Sequence, residues 1–150
     1  MSMSSEHRTV MGIDYGRVRI GIAVSDLTRS FAFGLVTLAN SQKKQEAALQ
    51  EIVRIAREKQ VDTIVIGLPR RTDGKPGEMA AEVAEFASAL AQVIDLPIVF
   101  EDERYSSKIA RGSLAEAGVR GRKVRSVIDQ RAAEIILQSY LDRNRRQGGL

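Results

Sequence analysis

Three acidic residues, Asp14, Glu103 and Asp129, stand where apolar segments end or where a late helix begins. Carboxylates without accompanying Cys or His are hard oxygen ligands, which suit magnesium or manganese and phosphate chemistry rather than zinc. Three of them could hold two such ions about 4 Å apart, one generating an attacking hydroxide and one stabilising a leaving oxygen. The residue types therefore indicate phosphodiester hydrolysis without a protein nucleophile, if the fold brings the three acids together.

Asp14 interrupts an otherwise apolar segment, where an ionised carboxylate is costly unless it is paired or bound to a cation. Gly16, two residues later, leaves room for a phosphate or metal to approach the backbone. The alternative is that Asp14 is only a turn residue. Asp129 lies near the start of a helix, where the helix dipole stabilises an acidic side chain without any functional role. Asp129 is therefore a candidate ligand only in combination with the other two acids.

The second acidic position falls in a run of three, Glu101, Asp102 and Glu103, directly after an apolar strand segment. A bound divalent cation would relieve the repulsion within such a run. Spacing alone does not choose between Asp102 and Glu103, and a solvated strand end is the alternative to a ligand.

Basic residues are concentrated in the last third of the chain, since residues 104–150 hold 11 of the 23 Lys and Arg but only 4 of the 19 Asp and Glu. A solvated helix face and a phosphate-binding surface both explain this concentration. Candidates to follow a nucleic-acid backbone are Arg104, Lys108, Arg111, Arg120, Arg122, Lys123 and Arg125, with Arg70, Arg71 and Lys75 on a facing loop.

The 150 residues are enough for one good core and too few for two ordinary domains. We expect a flexible tail over 1–8, a single domain over 9–142 and a basic tail over 143–150. With no cysteine, no signal-like apolar start and no run of about 20 apolar residues, the chain predicts a cytoplasmic protein without disulfides, thiolate metal sites or a membrane span.

The elements that must position the acids follow from local patterns. A three-strand antiparallel meander is predicted over 10–15, 20–25 and 33–38, and two further parallel strands over 61–67 and 98–100. Helices are predicted over 41–59, 78–93 and 106–117 and from a cap at Ser126 onward, with a loop over 69–77. This order predicts an α/β fold with a mixed sheet flanked by helices, whose strand ends carry the site.

Four motifs in order over about residues 10–142 resemble the YqgF/RuvX family. They are Asp14-Tyr15-Gly16 with Gly21-Ile22-Ala23; Gly67-Leu68-Pro69 with Asp73-Gly74; Asp102-Glu103-Arg104 with Ser106-Ser107; and Asp129 with Ala132-Ala133 and the segment 136–141. The departures are small: Tyr105 replaces the usual aliphatic residue and Ser107 a common threonine.

The resemblance implies a ribonuclease H-like fold and metal-dependent phosphodiester hydrolysis. The family is described both as Holliday junction resolvases and as nucleases that mature the 5′ end of pre-16S ribosomal RNA. Its pattern places the catalytic and metal-binding acids at Asp14, Glu103 and Asp129, with Asp102 as a further candidate ligand and Mg²⁺ or Mn²⁺ as cofactor. The implied partners are pre-ribosomal RNA or branched DNA, and the ribosome itself. A two-fold symmetric junction would suit a homodimer, although a monomer is the alternative.

Two competing interpretations belong to other functional classes. A ribosome- or RNA-associated binding module without catalysis would share the fold and the basic surface, although retention of all three acids argues against it. A strand–DxG–strand hairpin also opens ATPase domains in which the turn holds phosphates. Those proteins need a second such half, for which 150 residues leave no room.

Overall fold

The computed structural model describes residues 8–69, 78–102 and 122–149. Five strands and three helices make up these ranges. They are β1 (Thr9–Tyr15), β2 (Arg19–Ser25), β3 (Ala32–Ala39), α1 (Gln45–Glu58), β4 (Val61–Leu68), α2 (Glu78–Val93), β5 (Ile98–Asp102) and α3 (Arg122–Gly149).

The strands form one mixed sheet in the spatial order β3-β2-β1-β4-β5. The first three strands are an antiparallel meander, and β4 and β5 add to it in parallel, β4 beside β1 and β5 beside β4. Crossovers through helices produce the parallel pairs, because parallel neighbours cannot be joined by a tight turn. The predicted α/β architecture of about five strands is thereby confirmed.

Strand alternation divides the apolar residues between the two faces of the sheet. On one face Met11, Ile13 and Ile22 are fully buried against α1 and α2. On the other face Val10 and Ala23 are buried against α3. Residues of even number in β1 and of odd number in β2 therefore face α3, which fixes the side on which the polar residues of these strands lie.

Helix α3 contacts all five strands. Its side chains also cap the edge strand β3, where the Ala32 N–H donates to Gln138 Oε1 and the Gly34 N–H donates to Glu134 Oε2, both at 2.9 Å. These bonds occupy backbone N–H groups of the edge strand that could otherwise pair with a strand of another molecule.

Two predicted helix starts are wrong. Helix α1 begins at Gln45, because Ser41 instead accepts a hydrogen bond from the Lys44 N–H at 3.1 Å in the preceding turn. Helix α3 begins at Arg122, and Ser126 lies inside it, where its carbonyl accepts a hydrogen bond from Thr37 Oγ1 at 2.9 Å.

The boundaries of α2 agree with the prediction. The helix predicted over 106–117 lies outside the described residues. In the part of the chain that the structure describes, no helix is long and apolar enough to cross a membrane.

Candidate active site

Asp14 lies near the carboxyl end of β1, on the face of the sheet that α3 covers. Its strand partner in the antiparallel register is Gly21 of β2. Because Val10 and Gly12 on the same side of β1 pack against α3, alternation directs the Asp14 side chain to that face as well. The carboxylate is half-buried, at the point where the strand leaves the core.

Gly21 lets α3 approach β2 closely at Asp129. A Cβ atom built on Gly21 would lie 2.1 Å from the Asp129 carbonyl oxygen, so only a residue without a side chain fits there. Asp14 is thus beside Gly21 across the sheet, and Asp129 lies directly over it. The structure places the backbones of two of the three predicted acids next to Gly21, although they are 115 positions apart in the sequence.

Arg19 supplies a positive charge next to these acids. Its Nε donates to Asp129 Oδ2 at 2.7 Å, and the two side chains are 34% and 16% exposed. Arg19 is two residues from Gly21 on β2, so both lie on the α3 face. In the sequence Arg19 falls between the first two predicted strands, where it reads as part of a turn. Its spacing of two residues from Gly21, which puts both on one face of a strand, is the signal that could have identified it.

The turn between β1 and β2 is fixed from the other side of the sheet. Asn40 donates from Nδ2 to the Gly16 carbonyl at 2.7 Å, and its N–H donates to the Val18 carbonyl at 2.8 Å. Arg17 donates to the Glu82 carboxylate through both Nε and Nη2, which holds the pKa of Glu82 below its ordinary value. These contacts hold the backbone that follows Asp14.

The acidic run after β5 separates into different environments. Glu101 is only 2% exposed and faces α3, where it accepts hydrogen bonds from Ser139 Oγ and Arg143 Nη1, both at 2.8 Å. Asp102 is exposed at the end of β5, and alternation directs it to the opposite face from Asp14. Glu103 lies outside the described residues. The sequence did not indicate that Glu101 is buried and has a structural role.

The described part of the predicted basic surface is small. Arg125 is exposed on the first turns of α3, four residues before Asp129 and therefore one helical turn away. Outside the residues whose side chains are described are Arg70, Arg71, Lys75, Arg104, Lys108, Arg111, Arg120, Arg122 and Lys123.

Among residues 8–69, 78–102 and 122–149, no three Asp, Glu, His or Cys side chains are grouped so that they could hold a metal ion. Asp14 and Asp129 have the oxygen donors that Mg²⁺ and Mn²⁺ prefer, and they lie on the same face of the sheet. Such ions bind through few carboxylates and retain several waters, so this pair fits part of a ligand set.

The chain matches the family model described as "RuvX: Holliday junction resolvase" over residues 8–143. The chain belongs to the RuvX family. RuvX relatives named "Putative pre-16S rRNA nuclease" are similar over nearly their whole length. The one from Nitrosospira multiformis is 42% identical over 134 residues, covering 89% of this chain and 87% of the relative. The one from Chloroflexus aggregans is 40% identical over 138 residues, covering 92% and 96%.

Solved structures show that this RuvX chain has a ribonuclease H-like fold. Thermus thermophilus RuvC in complex with a Holliday junction substrate aligns with a TM-score of 0.56 at 15% identity, over 92% of this chain and 96% of that one. The Fowlpox virus resolvase in complex with Holliday junction DNA aligns with a TM-score of 0.54 at 11% identity, over 91% and 98%. The predicted family and fold are thereby confirmed.

Proposed function

We propose that this protein is a Mg²⁺- or Mn²⁺-dependent endonuclease that hydrolyses phosphodiester bonds in structured nucleic acid. Membership of the RuvX family makes the chain a nuclease. The observation that carries the metal-dependent part of the proposal is the position of Asp14 and Asp129 on either side of Gly21. A divalent cation bound between these two acids would be stabilised by both negative charges.

We assign Asp14, Glu103 and Asp129 as the residues that hold the metal, and we leave out Asp102, which faces the opposite side of the sheet from Asp14. A divalent pair would supply an activated water and stabilisation of the leaving oxygen. The chain itself would place the carboxylates on rigid elements, because Asp14 is on a central strand and Asp129 is held against Gly21. Arg125 and the other basic residues predicted above would contact the nucleic-acid backbone without reading its sequence.

The proposed substrate is the 5′ region of pre-16S ribosomal RNA, with four-way DNA junctions as the second candidate. Curated relatives at about 40% identity are named as pre-16S rRNA nucleases. The family description and the similar solved structures instead name Holliday junctions. Maturation of ribosomal RNA would place the protein in the cytoplasm with the ribosome as a partner. A symmetric junction would instead require a homodimer.

The test is cleavage of labelled pre-16S RNA and of labelled four-way DNA junctions with Mg²⁺, with Mn²⁺ and with chelator. We expect chelator, Asp14→Asn and Asp129→Asn each to lower the cleavage rate at least about a hundredfold, since a metal supplies several kcal/mol of stabilisation. Asp62→Asn, which alters a carboxylate paired with Arg29 elsewhere on the surface, is the matched control and should leave the rate unchanged.

Three results would contradict the proposal in different ways. Cleavage that survives either substitution would remove Asp14 or Asp129 from the metal site. Tight RNA binding without cleavage by the wild type would favour the binding module. Turnover of ATP would favour the ATPase interpretation.

A further inference from the structure

We propose that Arg19 is the resident counter-ion of Asp129, and that a divalent cation must displace it to bind. Arg19 is then a positioning residue, which holds the carboxylate in place before the metal arrives. The inference rests on the proposed function, since it concerns the same carboxylate.

The ion pair already occupies one of the two carboxylate oxygens of Asp129 through which a metal could bind. Arg19 Nε lies 2.7 Å from Asp129 Oδ2, which is the distance of a charge-assisted hydrogen bond. The Asp129 side chain is only 16% exposed, so little water competes with the guanidinium for it. A cation that binds Asp129 through this oxygen therefore replaces the guanidinium there as well as water.

The backbone on both sides of the pair is fixed, so the exchange needs only a side-chain movement. Arg19 begins the inner strand β2 and is in register with Ala39 of β3. Asp129 cannot move closer to the sheet, because its backbone already packs on Gly21. The Arg19 side chain is 34% exposed and its long stem has several rotamers, which gives the guanidinium a route to solvent.

Electrostatics explains why a counter-ion is useful in the metal-free protein. Asp14 and Asp129 share one face of the sheet next to Gly21, and like charges on one face disfavour each other. Arg19 neutralises one of them and so stabilises the assembled geometry. The same neutralisation lowers the affinity for a cation, because the guanidinium must be separated from its partner first.

The test is calorimetric titration of Mn²⁺ into the full chain without nucleic acid, so that binding is measured rather than activity. We expect the Kd of Arg19→Gln to be about tenfold lower than that of the wild type, from the strength of a hydrogen bond to a charged group. Arg19→Lys keeps the charge but loses the planar fork and should fall between the two. The double variant Arg19→Gln with Asp129→Asn should not show this lower Kd, because the carboxylate that Arg19 pairs with is removed.

The matched control is Arg29→Gln, which breaks a more exposed Arg–Asp pair at 3.1 Å on another part of the surface. Its Mn²⁺ Kd should equal that of the wild type. Thermal melting followed by circular dichroism gives a second readout. Without metal, Arg19→Gln should melt below the wild type, and saturating Mn²⁺ should raise its melting temperature more than it raises that of the wild type or Arg29→Gln.

The outcomes separate this inference from the proposed function. If the wild type binds Mn²⁺ and both Arg19 variants bind it equally or more weakly, Arg19 is not displaced and only this inference is overturned. If neither the wild type nor Arg19→Gln binds Mn²⁺, both the inference and the metal-dependent function are overturned. Should Arg19→Gln not fold, the comparison of Arg19→Lys with the wild type decides by the same criterion.

Discussion

Replacing Gly21 with Ala should disturb the candidate site more than any comparable change in the sheet. The new Cβ would lie 2.1 Å from the Asp129 carbonyl oxygen, whereas ordinary contact begins at 3.4 Å. The backbones of β2 and α3 must therefore separate by about 1.3 Å at this point. Neither atom belongs to a flexible side chain, so rotamer changes cannot relieve the overlap.

Both stability and catalysis should respond. Inserting a methyl group into a packed region costs about 1–3 kcal/mol, and two opposed backbones favour the upper end. The lower chain entropy of Ala in the unfolded state returns about 0.4–1 kcal/mol, which leaves a net loss of about 2 kcal/mol. For a domain of this size that loss lowers Tm by roughly 4–8 °C. A displacement of Asp129 near 1 Å should reduce the cleavage rate by about a hundredfold.

Gly34→Ala is the matched control, because its Cβ would lie 3.2 Å from the Gln130 Cβ and 3.4 Å from the Gln130 carbonyl oxygen, which is close to ordinary contact. Gly12→Ala, with a Leu137 Cβ at 2.7 Å, should be intermediate. Urea unfolding measures the stability of the three variants, and cleavage assays and Mn²⁺ titrations on the same samples measure their activity and metal binding. If Gly21→Ala is as stable and as active as Gly34→Ala, Gly21 does not set the position of Asp129 and the geometric argument for the site fails.

Three further predictions concern other parts of the molecule. Arg143→Met should lower the free energy of unfolding in urea by about 3 kcal/mol, because it leaves the Glu101 charge buried without its ionic partner, and Glu101→Gln should cost less than half as much. Hydrogen bonds, first that from the Phe31 N–H, lower the pKa of Asp26 from 3.8 to about 2. The stabilising effect of Asp26 is therefore present above pH 4 and is lost as the pH falls toward 2, so urea titrations of wild type and Asp26→Asn should converge in that interval. Arg125→Gln should reduce the slope of log K against log salt for nucleic-acid binding by about 1, measured by fluorescence anisotropy.

Most elements of the sheet were predictable because the apolar pattern of each strand is local. Val10 to Tyr15 and Ile20 to Ser25 read as strands without any knowledge of their partners, and the structure extends each by one residue. The interruption of β1 by a carboxylate was equally visible. Asp14 was therefore a candidate from the sequence alone, and its placement beside Gly21 follows from hairpin register.

The partners of Asp129 and Glu101 were not predictable, because they depend on long-range packing. Arg19 is 110 residues from Asp129, and in the sequence it reads as part of a turn. Glu101 begins a run of three acids that looks solvated. Its burial becomes evident only when Arg143, 42 residues later on α3, is placed over β5. The order of polar and apolar residues along the chain does not show which distant residues form ion pairs.

The start of α3 shows how a local signal can be overridden. Ser126 is a good capping residue, which favoured a helix beginning there. In the structure the hydroxyl of Thr37 instead holds the Ser126 carbonyl, and the helix extends back to Arg122. Contact with β3 therefore decides the path of this helix more than its own capping preference does.

Because α3 contacts all five strands, the order in which the chain folds decides when the candidate site can form. Among the described residues, those of α3 cover the face that includes Val10, Ala23 and Val65, whereas α1 and α2, which come earlier in the chain, cover the other face. Contacts between residues more than 100 positions apart form slowly, since a large loop must close first. Local opening of α3 would separate Asp129 from Asp14 while leaving the half of the core under α1 and α2 intact. The carboxylate pair can thus exist only in fully docked molecules, so a partly folded chain in the presence of nucleic acid would lack the means to cut it.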